Sequence, residues 1–138
     1  MRKVFLAGAT TLIAILSVTS GASGQTNTKF SVITLTQSSH PSGEGVVVHG
    51  KVVDPRDRSE VVGHDRARFT PYSRGVKARI RFHFSDGSVL KVKGGFGPGD
   101  NKLAIIGGSG QWDDADGKAL LHDAGEGAER YTFEITVP

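Results

Sequence analysis

The segment 76–85 constrains this chain more than any other. Val76, Ala78, Ile80, Phe82 and Phe84 alternate strictly with Lys77, Arg79, Arg81, His83 and Ser85. Side chains two apart lie on one face of a strand, so the pattern predicts a strand with one apolar and one basic face. Asp86-Gly87 follows and predicts a two-residue hairpin turn, because both residues tolerate positive φ. Residues 88–93 then read as the returning strand. The C-terminal segment repeats the pattern, with Tyr131, Phe133, Ile135 and Val137 against Arg130, Thr132, Glu134 and Thr136.

Five further segments read as strands: 30–37, 46–53, 60–70, 102–107 and 118–123. In 60–70 the small and apolar residues Val61, Gly63, Ala67 and Phe69 define the predicted inner face. Nineteen glycines among 138 residues are about twice the usual share of ~7%, which suits many turns rather than a helical bundle. Eight sequential strands with short connections predict an all-β, eight-stranded antiparallel up-and-down barrel; a sandwich of two four-stranded sheets has the same strand count.

The first 24 residues have a different character. Arg2 and Lys3 precede an apolar stretch, residues 4–18, and Ser20, Gly21, Ala22, Ser23 and Gly24 form a small-residue tail. This three-part layout predicts a signal peptide over 1–24, a secreted product and a single barrel domain over 25–138. The apolar stretch is shorter than the roughly 20 residues a membrane helix needs, so no membrane association is expected after cleavage.

Removing Arg2 and Lys3 lowers the formal charge from +3 to +1, so the basic pI is no argument for nucleic acid. The remaining charge is uneven. Residues 29–93 hold 12 basic and 6 acidic side chains, and residues 94–138 hold 3 and 8. The simplest expectation is mutual neutralisation on adjacent strands; a basic face for an anionic partner is the alternative.

Several chemistries find no support. With no cysteine there is no disulfide, thiolate site or cysteine nucleophile. The five histidines lack metal-ligand spacing. Asp113, Asp114 and Asp116 lack the glutamate register of a calcium loop, and the glycine-rich stretch 94–99 lacks the ending of a phosphate-binding loop. Ser109 does not sit in a nucleophile elbow.

One run carries a family resemblance. Ile105-Ile106-Gly107-Gly108-Ser109-Gly110-Gln111-Trp112, followed by Ala115-Asp116-Gly117, resembles the hallmark loop of dirigent proteins. Val61-Val62-Gly63-His64, Val52-Val53-Asp54-Pro55 and the strand 131–137 are similar to other dirigent elements and occur in the family's order. The resemblance implies the barrel shared by dirigent proteins and allene oxide cyclases, in a bacterial-type secreted member. It further implies a lumen open at one end, a homotrimer, no metal and no organic cofactor. Those proteins position a small apolar substrate for stereoselective coupling or cyclisation, largely an orientation effect. Four departures weaken transfer of activity: Asp116, Phe69 and His64 replace residues of the family pattern, and no cyclase-type cysteine exists.

Two carboxylates are candidate catalytic groups. Asp54 ends a Val-rich strand and, by the resemblance, sits near the barrel mouth; as Asp-Pro it equally makes a turn. Asp65 shares the predicted inner face of 60–70, where burial raises a carboxyl pKa and suits acid/base work. A bulge after Gly63 would instead turn it to solvent. Phe69, Phe82, Phe84, Trp112 and Tyr131 are candidate ligand-binding residues, either lumen wall or closed core, and Trp112 either lines the entrance or plugs the barrel. The expected partner is a small apolar molecule, either turned over or merely carried.

Overall fold

The computed structural model describes residues 15–20, 25–97 and 101–138. All eight expected strands form; seven are longer than the sequence pattern indicated, and the strand expected at 76–85 has the expected length, shifted by one residue. They are β2 (Thr26–Ser42), β3 (Gly45–Asp54), β4 (Asp57–Tyr72), β5 (Gly75–Phe84), β6 (Val89–Phe96), β7 (Lys102–Ser109), β8 (Asp116–Asp123) and β9 (Ala128–Val137), preceded by β1 (Ile15–Ser20). From β2 onward each strand pairs antiparallel with the next. β9 then returns to β2, from Thr26 opposite Val137 to Leu35 opposite Ala128. This pairing closes the sheet, so the fold is an eight-stranded antiparallel up-and-down barrel rather than a sandwich.

β1 is an addition to that barrel. It pairs with Thr26–Phe30 of β2, an edge that β3 does not reach because the β2–β3 pairing begins at Ile33. Closure does not depend on it. β1 falls within the expected leader, whose residues 1–14 and 21–24 lie outside the described residues. Among the described residues, no helix is long and apolar enough to cross a membrane.

The alternation in β5 and β9 is carried through to packing. Ala78, Ile80, Phe82 and Phe84 are buried, as are Tyr131, Phe133 and Ile135, and the intervening basic residues of β5 are exposed. Phe30, Phe82, Phe133 and Tyr131 meet with ring centroids 5.0–5.2 Å apart. Contacts of that kind add about 0.5–1.5 kcal/mol each beyond burial. A smaller cluster of Ile33, Val53 and Ala128 stands apart from this core.

Two local expectations are corrected. Val61 is 37% exposed, whereas Val62 is buried. The register shifts between Val52–Gly63 and Val53–Val61, so a bulge lies before Gly63 and reverses the faces at that point. The β5–β6 turn is also longer than two residues. Phe84 and Ser88 are joined through the Phe84 N–H and the Ser88 carbonyl, and the Asp86 carboxylate accepts the Ser88 N–H at 2.8 Å. That capture leaves three residues, 85–87, between the joined pair, with Gly87 at φ 89°.

Up-and-down topology sends the β3–β4, β5–β6 and β7–β8 connections to one end and the other four turns to the opposite end. At the first end the 3₁₀ turn Gly110–Trp112 folds inward. Trp112 is 4% exposed and stacks on Phe30 at 5.3 Å, which makes it a plug. Toward the opposite end the inner positions are small, including Gly50, Ala67, Ala78 and Gly94, while Val48, Phe69, Phe96 and Leu121 are only partly covered.

Candidate functional site

Asp65 faces the barrel interior. The bulge lies on its N-terminal side, so from Gly63 onward the alternation Gly63, Asp65, Ala67, Phe69 points inward without interruption. Asp65 lies opposite Gly50 on β3 and Phe82 on β5. It is 7% exposed, and its Oδ1 is buried without a hydrogen-bond partner. Desolvation, with the nearby Glu129 carboxylate second, pushes its pKa up to about 7. Such a group can hold or release a proton near neutrality.

Glu129 is the partner that the sequence pattern did not single out. It lies two residues before Tyr131, so the alternation of β9 continued one step backward places it on the inner face. Thr34 is directly opposite on β2, and its side chain hydrogen-bonds the Glu129 carboxylate. Burial, then the neighbouring Asp123, raises the Glu129 pKa. Tyr131 is 2% exposed, and its phenol is held protonated by burial and by the charges of Glu129 and Asp65. Asp65, Glu129 and Tyr131 therefore form one electrostatically coupled group of two carboxyls and a neutral phenol inside an apolar barrel.

Gly50 creates the space for this group. A Cβ at position 50 would lie 2.6 Å from Asp65 Oδ1 and 2.8 Å from the Leu35 carbonyl oxygen. Any side chain there would displace the carboxylate.

The candidate residues divide between the two ends. Asp54 is the last residue of β3, on the Trp112 side, roughly 13 Å along β3 from the Gly50–Asp65 pair at the usual strand rise. Its Oδ1 accepts the Arg56 N–H at 2.8 Å, and Arg56 Nη2 donates to its Oδ2 at 2.7 Å. These bonds hold the Asp54 carboxyl below its usual range and tie it to the turn. The structure does not bring Asp54 and Asp65 together. Phe84 and Trp112 pack with Phe30 at the plugged end. Phe82 and Tyr131 bridge to the carboxyl group with centroids 5.1 Å apart. Phe69 is only partly buried, on the side away from Trp112. Among the described residues no group of three His, Cys, Asp or Glu is arranged to hold a metal ion.

No family model and no curated protein sequence matches the chain. Solved structures do. A pyocyanin demethylase superposes with a TM-score of 0.62 at 12% identity, covering 78% of this chain and 98% of that one. A pterocarpan synthase dirigent protein superposes with a TM-score of 0.53 at 19% identity, covering 81% and 84%. At these identities the likeness is one of fold. The barrel is dirigent-like in fold, the fold that the resemblance of the glycine-rich loop implied.

Proposed function

We propose that this protein is a secreted barrel that binds a small, largely apolar molecule in its interior and steers a reaction of that molecule. Asp65, Glu129 and Tyr131 are its polar contacts, and Phe69 and Phe82 belong to its wall. The observation that carries the reading is the unpartnered Asp65 Oδ1. A buried, unsatisfied carboxyl costs about 1–3 kcal/mol, and a ligand hydroxyl or amine would supply the missing partner. A carboxyl with a pKa near 7 next to a second carboxyl can accept a proton from the bound molecule and return it elsewhere. The remaining contribution is orientation by the aromatic wall. The two superposable proteins support this reading, one being named for demethylating pyocyanin and the other for pterocarpan synthesis.

Native mass spectrometry of protein secreted by its own host tests the proposal, because it reads oligomer and retained ligand together. The expected result is a homotrimer carrying a small molecule. Asp65→Asn should keep that molecule while changing the product profile. An empty barrel in every preparation would overturn the reading. A retained ligand with an unchanged product profile in Asp65→Asn would reduce the protein to a carrier.

A further inference from the structure

The outer wall formed by β4, β5 and β6 carries charge of one sign. Arg66 lies opposite Arg81, and Arg81 opposite Lys91; one step along the same face, Arg68 lies opposite Arg79, and Arg79 opposite Lys93. All six side chains are exposed. They make a grid of two rows and three columns, with neighbours about 4.5–5.5 Å apart between Cβ atoms across strands and rows about 6.6 Å apart along them. Lys77 extends the grid at one end, and the facing pair His64–His83 extends it at the other.

Like charges placed directly opposite destabilise a sheet, and no ion pair among the described residues compensates them. Among the described residues the ion pairs are Arg56–Asp54 and Lys118–Glu134, neither of which touches the grid. Arg68 donates to the Ser42 hydroxyl and carbonyl at 3.0 Å, which positions it without neutralising it. The expected neutralisation by the acidic C-terminal third does not occur. Asp116, Asp123, Glu129 and Glu134 lie on β8 and β9, which pair with each other and with β7 and β2, never with the basic strands. A groove of about 220 Å³ runs over the grid, lined by Arg66, Arg68, Arg79, Arg81, Lys91 and Ile106 among others.

We propose that this face docks an acidic polysaccharide, a polymer bearing carboxylate or sulfate groups at repeated intervals. A regular grid of cations matches repeated anionic groups rather than a single one, and guanidinium groups bind such oxyanions in paired hydrogen bonds. Other polyanions fit less well. No Phe, Tyr or Trp lines the groove to stack nucleic-acid bases, and the grid lies on a sheet face rather than on a helix that could enter a duplex groove. A membrane surface would need several apolar residues beside the cations, and Ile106 is the large exposed one there. The outer face and the barrel interior are separate, so this proposal stands apart from the interior ligand.

The test uses the full chain on immobilised heparin and on immobilised polygalacturonate, which separate sulfate from carboxylate recognition. Binding to at least one is expected, weakening about tenfold or more between ~50 and ~200 mM salt as counterion release predicts. Arg79→Ser/Arg81→Ser removes the middle column. It should weaken binding at least about tenfold, and the thermal midpoint should stay or rise because repulsion is relieved. Lys91→Ser/Lys93→Ser serves the same purpose should the first variant not fold. No retention by either polymer, or retention unchanged in the folded variant, overturns the proposal. So does tighter binding to single-stranded DNA or to phosphatidylserine-containing vesicles than to either polysaccharide.

Discussion

Gly50 and Asp65 face each other across the β3–β4 ladder, and a Cβ on Gly50 would lie 2.6 Å from Asp65 Oδ1. The inner carboxylate thus exists in its present place because its neighbour has no side chain. The same Cβ would also meet the Leu35 carbonyl oxygen at 2.8 Å, and backbone yields less readily than a carboxylate. Gly50→Ala is therefore expected to destabilise the barrel by about 1–3 kcal/mol. Asp65→Ala in the same chain should recover only part of that loss, since the Leu35 contact persists. Urea unfolding of the two single variants and the double variant checks this; full recovery would show that the Leu35 contact is harmless.

The raised pKa of Asp65 predicts a direction of pH dependence. An acid titrating near 7 in the folded chain and near 4 when unfolded binds more protons folded than unfolded between those values. Its contribution is fully present below about pH 4 and is lost as pH rises toward 7, by roughly 4 kcal/mol at most. Glu129, also raised, acts in the same sense. Asp54 acts oppositely, but its stabilisation disappears only as pH falls through a pKa already below the usual range. Between pH 4 and 7 the wild-type urea midpoint should therefore fall, and Asp65→Asn should flatten the fall. Identical profiles for the two proteins would remove Asp65 from the account.

Trp112 combines a large buried surface with an indole Nε1 that has no hydrogen-bond partner. Trp112→Ala should cost about 3–5 kcal/mol, since it empties the plugged end against Phe30 and Phe84. Trp112→Phe keeps most of the packing and removes an unsatisfied donor, so its cost should stay below about 1.5 kcal/mol. Equal losses in thermal unfolding would mean that the indole N–H has a partner in solution.

Asp54 organises a turn rather than the interior. Asp54→Ala removes the acceptor of the Arg56 backbone N–H and its guanidinium. A loss of about 1 kcal/mol is expected, with ligand retention in native mass spectra unchanged. Loss of the retained molecule in this variant alone would move the site to the plugged end.

The contrast between Asp54 and Asp65 shows how much of the candidate site was legible in the sequence. Asp65 could be found because strand alternation is local, and an acidic residue among Gly63, Ala67 and Phe69 stands out. Whether it faced inward could not be read, because that depended on the position of a bulge. Both readings were consistent with the residues, and the β3–β4 register alone places the bulge before Gly63. Glu129 was available by the same alternation, one step before Tyr131, but nothing local distinguishes an inward glutamate at a strand start from a solvated one.

Strand alternation and turn residues by themselves determined the eight strands and the apolar faces of β5 and β9, and the glycine-rich loop added a resemblance that implied a barrel. These properties depend on residues a few positions apart and on φ preferences that no distant contact changes. Tertiary structure decided the rest. The β3–β4 register separates Asp54 from Asp65, and closure of β9 on β2 sets Glu129 opposite Thr34 and brings Glu129 and Tyr131 into the interior that Asp65 faces. It also places the acidic β8–β9 wall where it cannot neutralise the cations of β4–β6. A charge total is additive along the chain, whereas a carboxyl's pKa and a cation's unpaired state depend on which strands become neighbours.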